Sequence, residues 1–302
     1  MAIRKVALIG ANGALGSKIL DALVAGKFEV TILQRASSTS TPAHGDAITI
    51  RKVPDDFPIP AVTEALLGQD AAIASFPVND ESLHVRIAEA AAAAGVSRYI
   101  PSDYGSINSD HPKAMEWLPL YARKTNILSS VQSLAARSNA FTWTSFVCGH
   151  FFDMAMVQGW LHFDLQTETA DLLDGGDYKA SAATLRRVGE AVVRALQREE
   201  ETKNKVLYVQ SVCASQKEIL GALERATGRG WKRRRVDSDT FVAAERAKLS
   251  AGDGSAVEEL VWVLGTKFGD WRGKEGFAMG MLGLEDEDLD EVVAHVVRQG
   301  SG

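Results

Sequence analysis

The feature that most restricts the fold is a rhythm in the first half of the chain. Short apolar runs, "KVALIG", "EVTILQR", "AITIRKV", "DAAIASF", "SRYIPS" and "FTWTSFV", recur up to Val147. Stretches with helical spacing separate several of them. "KILDALVAG" carries apolar residues on one helical face, and "SLHVRIAEAAAAAG" is alanine-rich with a glycine stop at Gly95. A further helix is expected around 119–137. Runs this short and apolar suit strands buried on both faces, and repeated strand–helix alternation demands parallel strands joined by crossover helices. The expected class is α/β, with a doubly wound parallel sheet covered by helices on both faces.

After Gly149 the rhythm changes. "HFFDMAMVQGW" is rich in large apolar residues, and "LHFDLQTETADLLDGGDYK" alternates and ends in a Gly-Gly turn, which predicts extended structure outside the main sheet. "LRRVGEAVVRALQRE" reads as a helix and "KVLYVQS" as a strand, while "SQKE" at Ser215 to Glu218 is a capping box opening another helix. Residues 151–302 are expected to form a smaller, mainly helical domain, with about 180–212 returning to the sheet built by residues 1–150.

The loop after the first run gives the sheet a task. "GANGALG" sets Gly10, Gly13 and Gly16 between a strand and a helix. A tight glycine turn there lets the backbone approach a pyrophosphate and aims helix N–H groups at it. Asn12, Ala14 and Leu15 lie in the same turn and helix start and share the cofactor-binding expectation. The next strand ends "LQRASS", where an NAD-preferring site would carry a carboxylate for the ribose hydroxyl. Arg35 supplies a fork of donors, and Ser37 and Ser38 supply hydroxyls, a set suited to a 2′-phosphate. The expected cofactor is NADPH, bound by residues 1–150, with the second domain left for the substrate.

Composition narrows the partners. The net charge of −6 argues against nucleic acid or an anionic membrane as a general partner. The dense basic run "KRRR", Lys232 to Arg235, is expected to be the solvated face of a strand. Cys148 and Cys213 show no metal-ligand spacing and no disulfide framework, so no metal is expected and a reducing compartment fits. The N-terminal "MAIRKVALIG" lacks the features of a signal peptide, and no apolar run approaches the roughly 18 residues of a membrane span. A cytoplasmic protein acting on a small molecule is expected, with homodimerisation left open.

With these motifs in hand, the chain resembles the atypical short-chain reductases of the isoflavone reductase-like, NmrA-like family. That family includes phenylcoumaran benzylic ether and pinoresinol–lariciresinol reductases. The matching pieces are "GANGALG", "LQRASS", "AGVSRYIPSDYG" and a lysine about twenty residues further on, Lys124. "TWTSFVCGHFFDMAM" and "NKVLYVQSVCASQKEILGALERATG" resemble its fungal branch. The resemblance implies a Rossmann fold and an NADPH-dependent reduction of a small aromatic or polycyclic secondary metabolite at a C=C, C=O, C=N or benzylic ether bond. Tyr121 and Lys124 stand three apart, one short of the Tyr-x-x-x-Lys pair of ordinary short-chain dehydrogenases. In the resembled family a lysine works without that tyrosine, which implies Lys124 as the catalytic general acid/base, also within reach of the cofactor. There are departures: the family's frequent glutamine is His84 here, and its Glu-Phe is Asp103-Tyr104.

An ordinary lysine is a poor base at neutral pH, and burial in a partly apolar cleft would disfavour its ammonium form. With a phenol as substrate it would act as a base; with a carbonyl or imine it would donate a proton. Phe76 ends the fourth strand at the sheet's carboxyl edge and is a candidate to cover the cofactor. Cys148 and Phe151 leave the sixth strand on that edge, and the resemblance implies that they lie near the cofactor. Asp103, Tyr104, His150, Phe152 and Trp160 are the candidates for substrate contact, with Trp117 and Phe163 as further pocket aromatics. Two other classes share the resemblance: a redox-sensing regulator that binds a dinucleotide without catalysis, and an isomerase or cyclase that merely retains the cofactor.

Overall fold

The computed structural model describes residues 2–300. In the first half, strands β1 (Lys5–Ile9), β2 (Glu29–Arg35), β3 (Ile48–Val53), β4 (Ala71–Ala74), β5 (Arg98–Ile100) and β6 (Thr142–Val147) coincide with the six apolar runs. The helices between them are α1 (Ala14–Ala25), α2 (Ile59–Leu66), α3 (Glu81–Ala93), α4 (Pro112–Trp117) and α5 (Pro119–Arg137). The second half contributes β7 (His150–Phe151), β8 (Phe163–Asp164), β9 (Thr169–Leu173), β10 (Lys179–Ala183), β11 (Lys205–Tyr208), β12 (Val212–Ser215) and β13 (Lys232–Val236). Its helices are α6 (Phe152–Val157), α7 (Leu185–Gln197), α8 (Glu199–Thr202), α9 (Gln216–Thr227), α10 (Ser238–Ser250), α11 (Ala256–Phe268), α12 (Met279–Leu282) and α13 (Leu289–Gly300).

Seven strands form one parallel sheet in the order β11-β6-β5-β4-β1-β2-β3. The chain winds outward from β1 to β3, then returns to β4 on the other side of β1, so the winding reverses between β1 and β4. A crevice opens at the carboxyl ends of the strands where winding reverses, and ligands of open α/β sheets bind there. β1 is buried over Val6 to Ile9, as a central strand covered on both faces must be, whereas the edge strand β3 is largely open to solvent, with only Val53 buried.

Helices α1 and α7 cover one face through Ile19, Leu23, Val188 and Val192. On the other, α2, α3 and α5 bring Val62, Ile87, Ala91 and Val131. Each fully buried aliphatic side chain contributes about 1.5–3 kcal/mol. Gly189 lets α7 lie close on α1, since a Cβ there would sit 2.5 Å from the Lys18 carbonyl. The buried Arg98 guanidinium stitches β5 to its neighbours, donating to Thr142, Thr144 and Thr202 hydroxyls and to the Glu199 carbonyl.

The remaining strands make two small sheets, β12-β10-β7 and β13-β9-β8, so the C-terminal region is helical with extended structure beside it. The capping box forms as the "SQKE" motif predicts. The basic run of β13 is exposed, with Arg233 on Glu224 and Arg234 on Asp171. Helix α11 brings Leu260 and Trp262 against Leu118 and Tyr121, which walls one side of the crevice. No described helix is long and apolar enough to cross a membrane.

Candidate active site

The glycine loop is built for close backbone approach. Gly10 has φ 93°, and a Cβ there would meet the Ser75 carbonyl oxygen at 2.1 Å, across the β1–β4 reversal. A Cβ on Gly16 would strike the Gly10 carbonyl oxygen at 2.0 Å. The turn closes with Gly13 N–H donating to Gly10 O at 3.1 Å. Gly13 caps α1 without any side-chain hydrogen bond, so the first amides of the helix stay open to an anion. Asn12 and Ala14 are exposed on the same turn. This cradle fits a dinucleotide pyrophosphate.

The end of β2 holds a surprise. Arg35 and Ser37 are exposed, and Ser38 Oγ accepts from Gln34 Nε2 at 2.9 Å. The sequence shows no carboxylate in "LQRASS", but the fold supplies one from the next strand's exit. Asp55 Oδ1 accepts from Ser37 N–H at 3.0 Å. Its carboxyl lies below the usual range, held there by the Ser37 hydrogen bonds and the Arg35 charge. Lys52 also arrives from β3, donating to Ser38 O at 3.0 Å. The expected phosphate-binding set therefore gains one cation and one opposing anion, neither visible from linear spacing.

Beside the cradle lies a cavity of about 700 Å3. Gly13, Ala14 and Leu15 line it at one side, Phe76, Asp103, Tyr104 and Lys124 along the sheet edge, and His150, Phe151 and Trp160 from beyond β6. Lys124 stands at its centre chemically. Its Nζ donates to the Asp103 carbonyl at 2.6 Å and lies 3.6 Å from Asp103 Oδ1. Burial pushes the Asp103 carboxyl up, with Lys124 and the Ser145 hydroxyl pulling it back down. One turn earlier, Tyr121 shares a 2.6 Å hydrogen bond with Ser106, and its ring centroid lies 5.6 Å from Lys124 Nζ. Burial pushes that phenol well up, so it stays protonated.

Two departures from the resembled pattern have visible consequences. His84 stacks on Phe76, ring centroids 4.1 Å apart, and its Nε2 meets the Pro77 carbonyl at 3.2 Å. The ring thus supports Phe76 from behind the cavity wall. Tyr104 has φ 45°, a left-handed conformation that a bulky residue rarely adopts. Its ring packs on Phe146 and its buried hydroxyl finds no partner among the described residues.

Asp103 lines the cavity, with its side chain only 4% exposed, its Oδ2 accepting from the Ser145 hydroxyl and its Oδ1 3.6 Å from Lys124 Nζ. Several expectations need correction. The Cys148 side chain does not line the cavity: it packs with Ile100, Tyr104 and Phe146 in the apolar layer, and burial pushes the thiol up. Phe152 and Phe163 are fully buried with Trp231 and Leu223 in the C-terminal core. Trp117 packs on Phe268 away from the cavity. Strand residues alternate between faces, and one position decides whether a side chain meets the cleft or the core.

His150 does line the cavity, against a glycine that sequence reading passed over. A Cβ on Gly265 of α11 would lie 2.3 Å from His150 Nε2, so the ring occupies space only a glycine leaves. Burial drives its pKa down to about 4, so the imidazole is neutral. Glu258 and Val261, also on α11, complete the wall. Their only signal in sequence was membership of an amphipathic helix.

Sheet order and glycine cradle define the class: a doubly wound α/β protein built to hold a dinucleotide where its winding reverses. The NmrA-like family model matches residues 3–258, and the chain belongs to that family. It is 34% identical over 300 residues to "Oxidoreductase aprR" of Aspergillus flavus, covering 97% of this chain and 99% of the relative. "Oxidoreductase poxI" of Penicillium oxalicum is 33% identical over 294 residues, with 95% and 92% covered. The protein is an oxidoreductase of this family. The fold is shared with AtPrR2 solved with NADP+ and (+)-pinoresinol, at TM-score 0.77 and 16% identity over 98% of this chain and 99% of that one. It is shared also with a ternary complex of leucoanthocyanidin reductase from Vitis vinifera, at TM-score 0.76 and 16% identity, covering 97% and 99%.

Proposed function

We propose that this protein is an NADPH-dependent reductase of a small aromatic or polycyclic metabolite, with Lys124 managing the proton. The observation that carries this reading is the setting of Lys124. It is a largely buried lysine held by Asp103 at the wall of a cavity that runs to the open N-terminus of α1. Residues 1–150, with about 180–212, would hold the cofactor, and residues 151–302 would shape the substrate site. Gly10, Gly13 and Gly16 would admit the pyrophosphate, while Arg35, Lys52 and the Ser37 and Ser38 hydroxyls favour a 2′-phosphate over a bare ribose. Asp55 works against that preference. When bound, the cofactor supplies a hydride.

The chain's own residues do the rest. Phe76, Phe151, Trp160 and Val261 offer apolar surface to a ring system and keep water from it. An ammonium facing the Asp103 carbonyl and carboxylate is better arranged to give a proton to a carbonyl or imine than to take one from a phenol. Tyr121, engaged with Ser106, shapes the floor under that ammonium. Neutral His150 contributes shape and no charge. The setting is that of a cytoplasmic enzyme.

The test is NADPH consumption with a panel of aromatic ketones, imines and enones, using wild type and Lys124→Ala. Turnover by wild type that disappears in the variant, with NADPH binding retained, is the expected result. Undiminished turnover in the variant would remove Lys124 from the mechanism. Tight NADPH binding with no turnover on any substrate would favour the regulator reading instead.

A further inference from the structure

One charge in the cavity is unused. Lys124 is held by Asp103, and Arg123 donates to the Val78 carbonyl at 3.2 Å. Glu258, in the first turn of α11, lines the same cavity and makes no hydrogen bond or close ion pair among the described residues. Its neighbour Glu259 behaves differently, pairing with His162 Nε2 at 2.7 Å on another side of the helix. Glu259 also complements the helix dipole from that turn, so the dipole does not require Glu258 to face the cleft.

The surroundings of Glu258 are apolar. Leu120, Trp160, Leu249, Val257 and Val261 share its wall. Glu258 is itself exposed, so its carboxylate is solvated while the cleft is empty. Enough protein stands around the carboxyl that burial raises its pKa, with Glu259 adding to the rise and Lys124 opposing it. A substrate filling the cleft would displace the remaining water. A carboxylate stripped of water without a donor is costly, so the site rewards a ligand that brings one.

Resting on the reductase reading above, we propose that Glu258 is a specificity-determining residue: it accepts a hydrogen bond from a hydroxyl or ammonium group carried by an otherwise apolar aromatic substrate, apart from the group that meets Lys124. A substrate lacking such a donor leaves the carboxylate unpaired and is rejected. This is discrimination by an unsatisfied polar group, which exceeds what hydrophobic walls alone achieve.

Binding of three probes tests it without turnover: 2-naphthol, 2-naphthylmethylamine and 2-methoxynaphthalene, followed by tryptophan fluorescence with NADP+ present. Wild type is expected to bind at least one donor probe about tenfold tighter than the methoxy compound, the size of one charge-assisted hydrogen bond. Glu258→Leu should erase that ratio while melting like wild type and binding 2-methoxynaphthalene at least as well. Glu258→Gln should keep a preference for the hydroxyl and lose any for the ammonium. If wild type shows no donor preference, or if the ratio survives in both variants, the proposal is overturned. Lys124→Met should leave the ratio intact, so a failure of the catalytic reading would be seen separately, in NADPH consumption.

Discussion

Replacing Lys124 by alanine should do more than stop catalysis. The pair it forms with Asp103 is nearly out of water, with side chains 11% and 4% exposed. Removing one member of a buried pair leaves the other charge uncompensated, at a cost of about 3–5 kcal/mol. The lysine's end reaches the cleft, so the lower end applies, about 3 kcal/mol, or a fall in Tm of about 6 °C for a chain of this size. The sign of the pH dependence follows from Asp103. Burial raises its carboxyl above the ordinary 3.8 in the folded state. A raised acid stabilises the fold fully below its unfolded value and loses that contribution as pH rises through its folded value. Without Lys124 the folded value climbs further, so the deficit of Lys124→Ala should be large at neutral pH and shrink on acidification.

Urea unfolding of wild type and variant at about pH 7.5 and about pH 5.5 measures this, alongside NADPH consumption. Lys124→Met combined with Asp103→Asn should recover most of the stability, to within about 1 kcal/mol of wild type, because no buried charge remains. That double variant should still be inactive. Recovery of stability without activity separates the proton-transfer role from the structural one. If Lys124→Ala is as stable as wild type at neutral pH, or its deficit grows on acidification, the buried pair described here does not exist.

Other outcomes follow from the same geometry. Gly16→Ala should abolish NADPH binding measured by cofactor fluorescence, because its Cβ would lie 2.0 Å from the Gly10 carbonyl oxygen and neither backbone can yield. Gly265→Ala should destabilise in spite of better helix propensity: overpacking against His150 costs about 1–3 kcal/mol against a gain of about 1. His150→Ala in the same chain should relieve it, giving a positive coupling in a double-mutant cycle. Asp55→Asn should raise the NADPH-to-NADH ratio of kcat/KM by removing a carboxylate from the Ser37 N–H, and the gain should fade in high salt.

The strands and the glycine cradle were legible because each is written locally. "KVALIG" declares a buried strand by its own unbroken apolar run, and β1 is that strand. Gly13 declares a helix start, and "SQKE" declares its own cap. Lys124 was singled out by the family resemblance, about twenty residues after the "IPSDYG" block, and it lines the cavity. The packing of Asp103 was not legible because it depends on Ser145 and Lys124, which lie 42 and 21 residues away. Cys148 and Phe152 were misread because strand and helix faces at the end of β6 are set by what packs there.

By itself, then, the sequence determined the backbone's local habits: which segments extend, which coil, and where a chain must turn too tightly for a side chain. Such signals span only a few residues, and steric and periodic preferences act over that range. Only the tertiary structure decided the neighbours of the site. It brought Asp55 and Lys52 to the end of β2, set Gly265 under His150, and turned Glu258 into the cleft. Those contacts depend on crossovers and on how α11 docks across the sheet edge, and no window of sequence contains both partners.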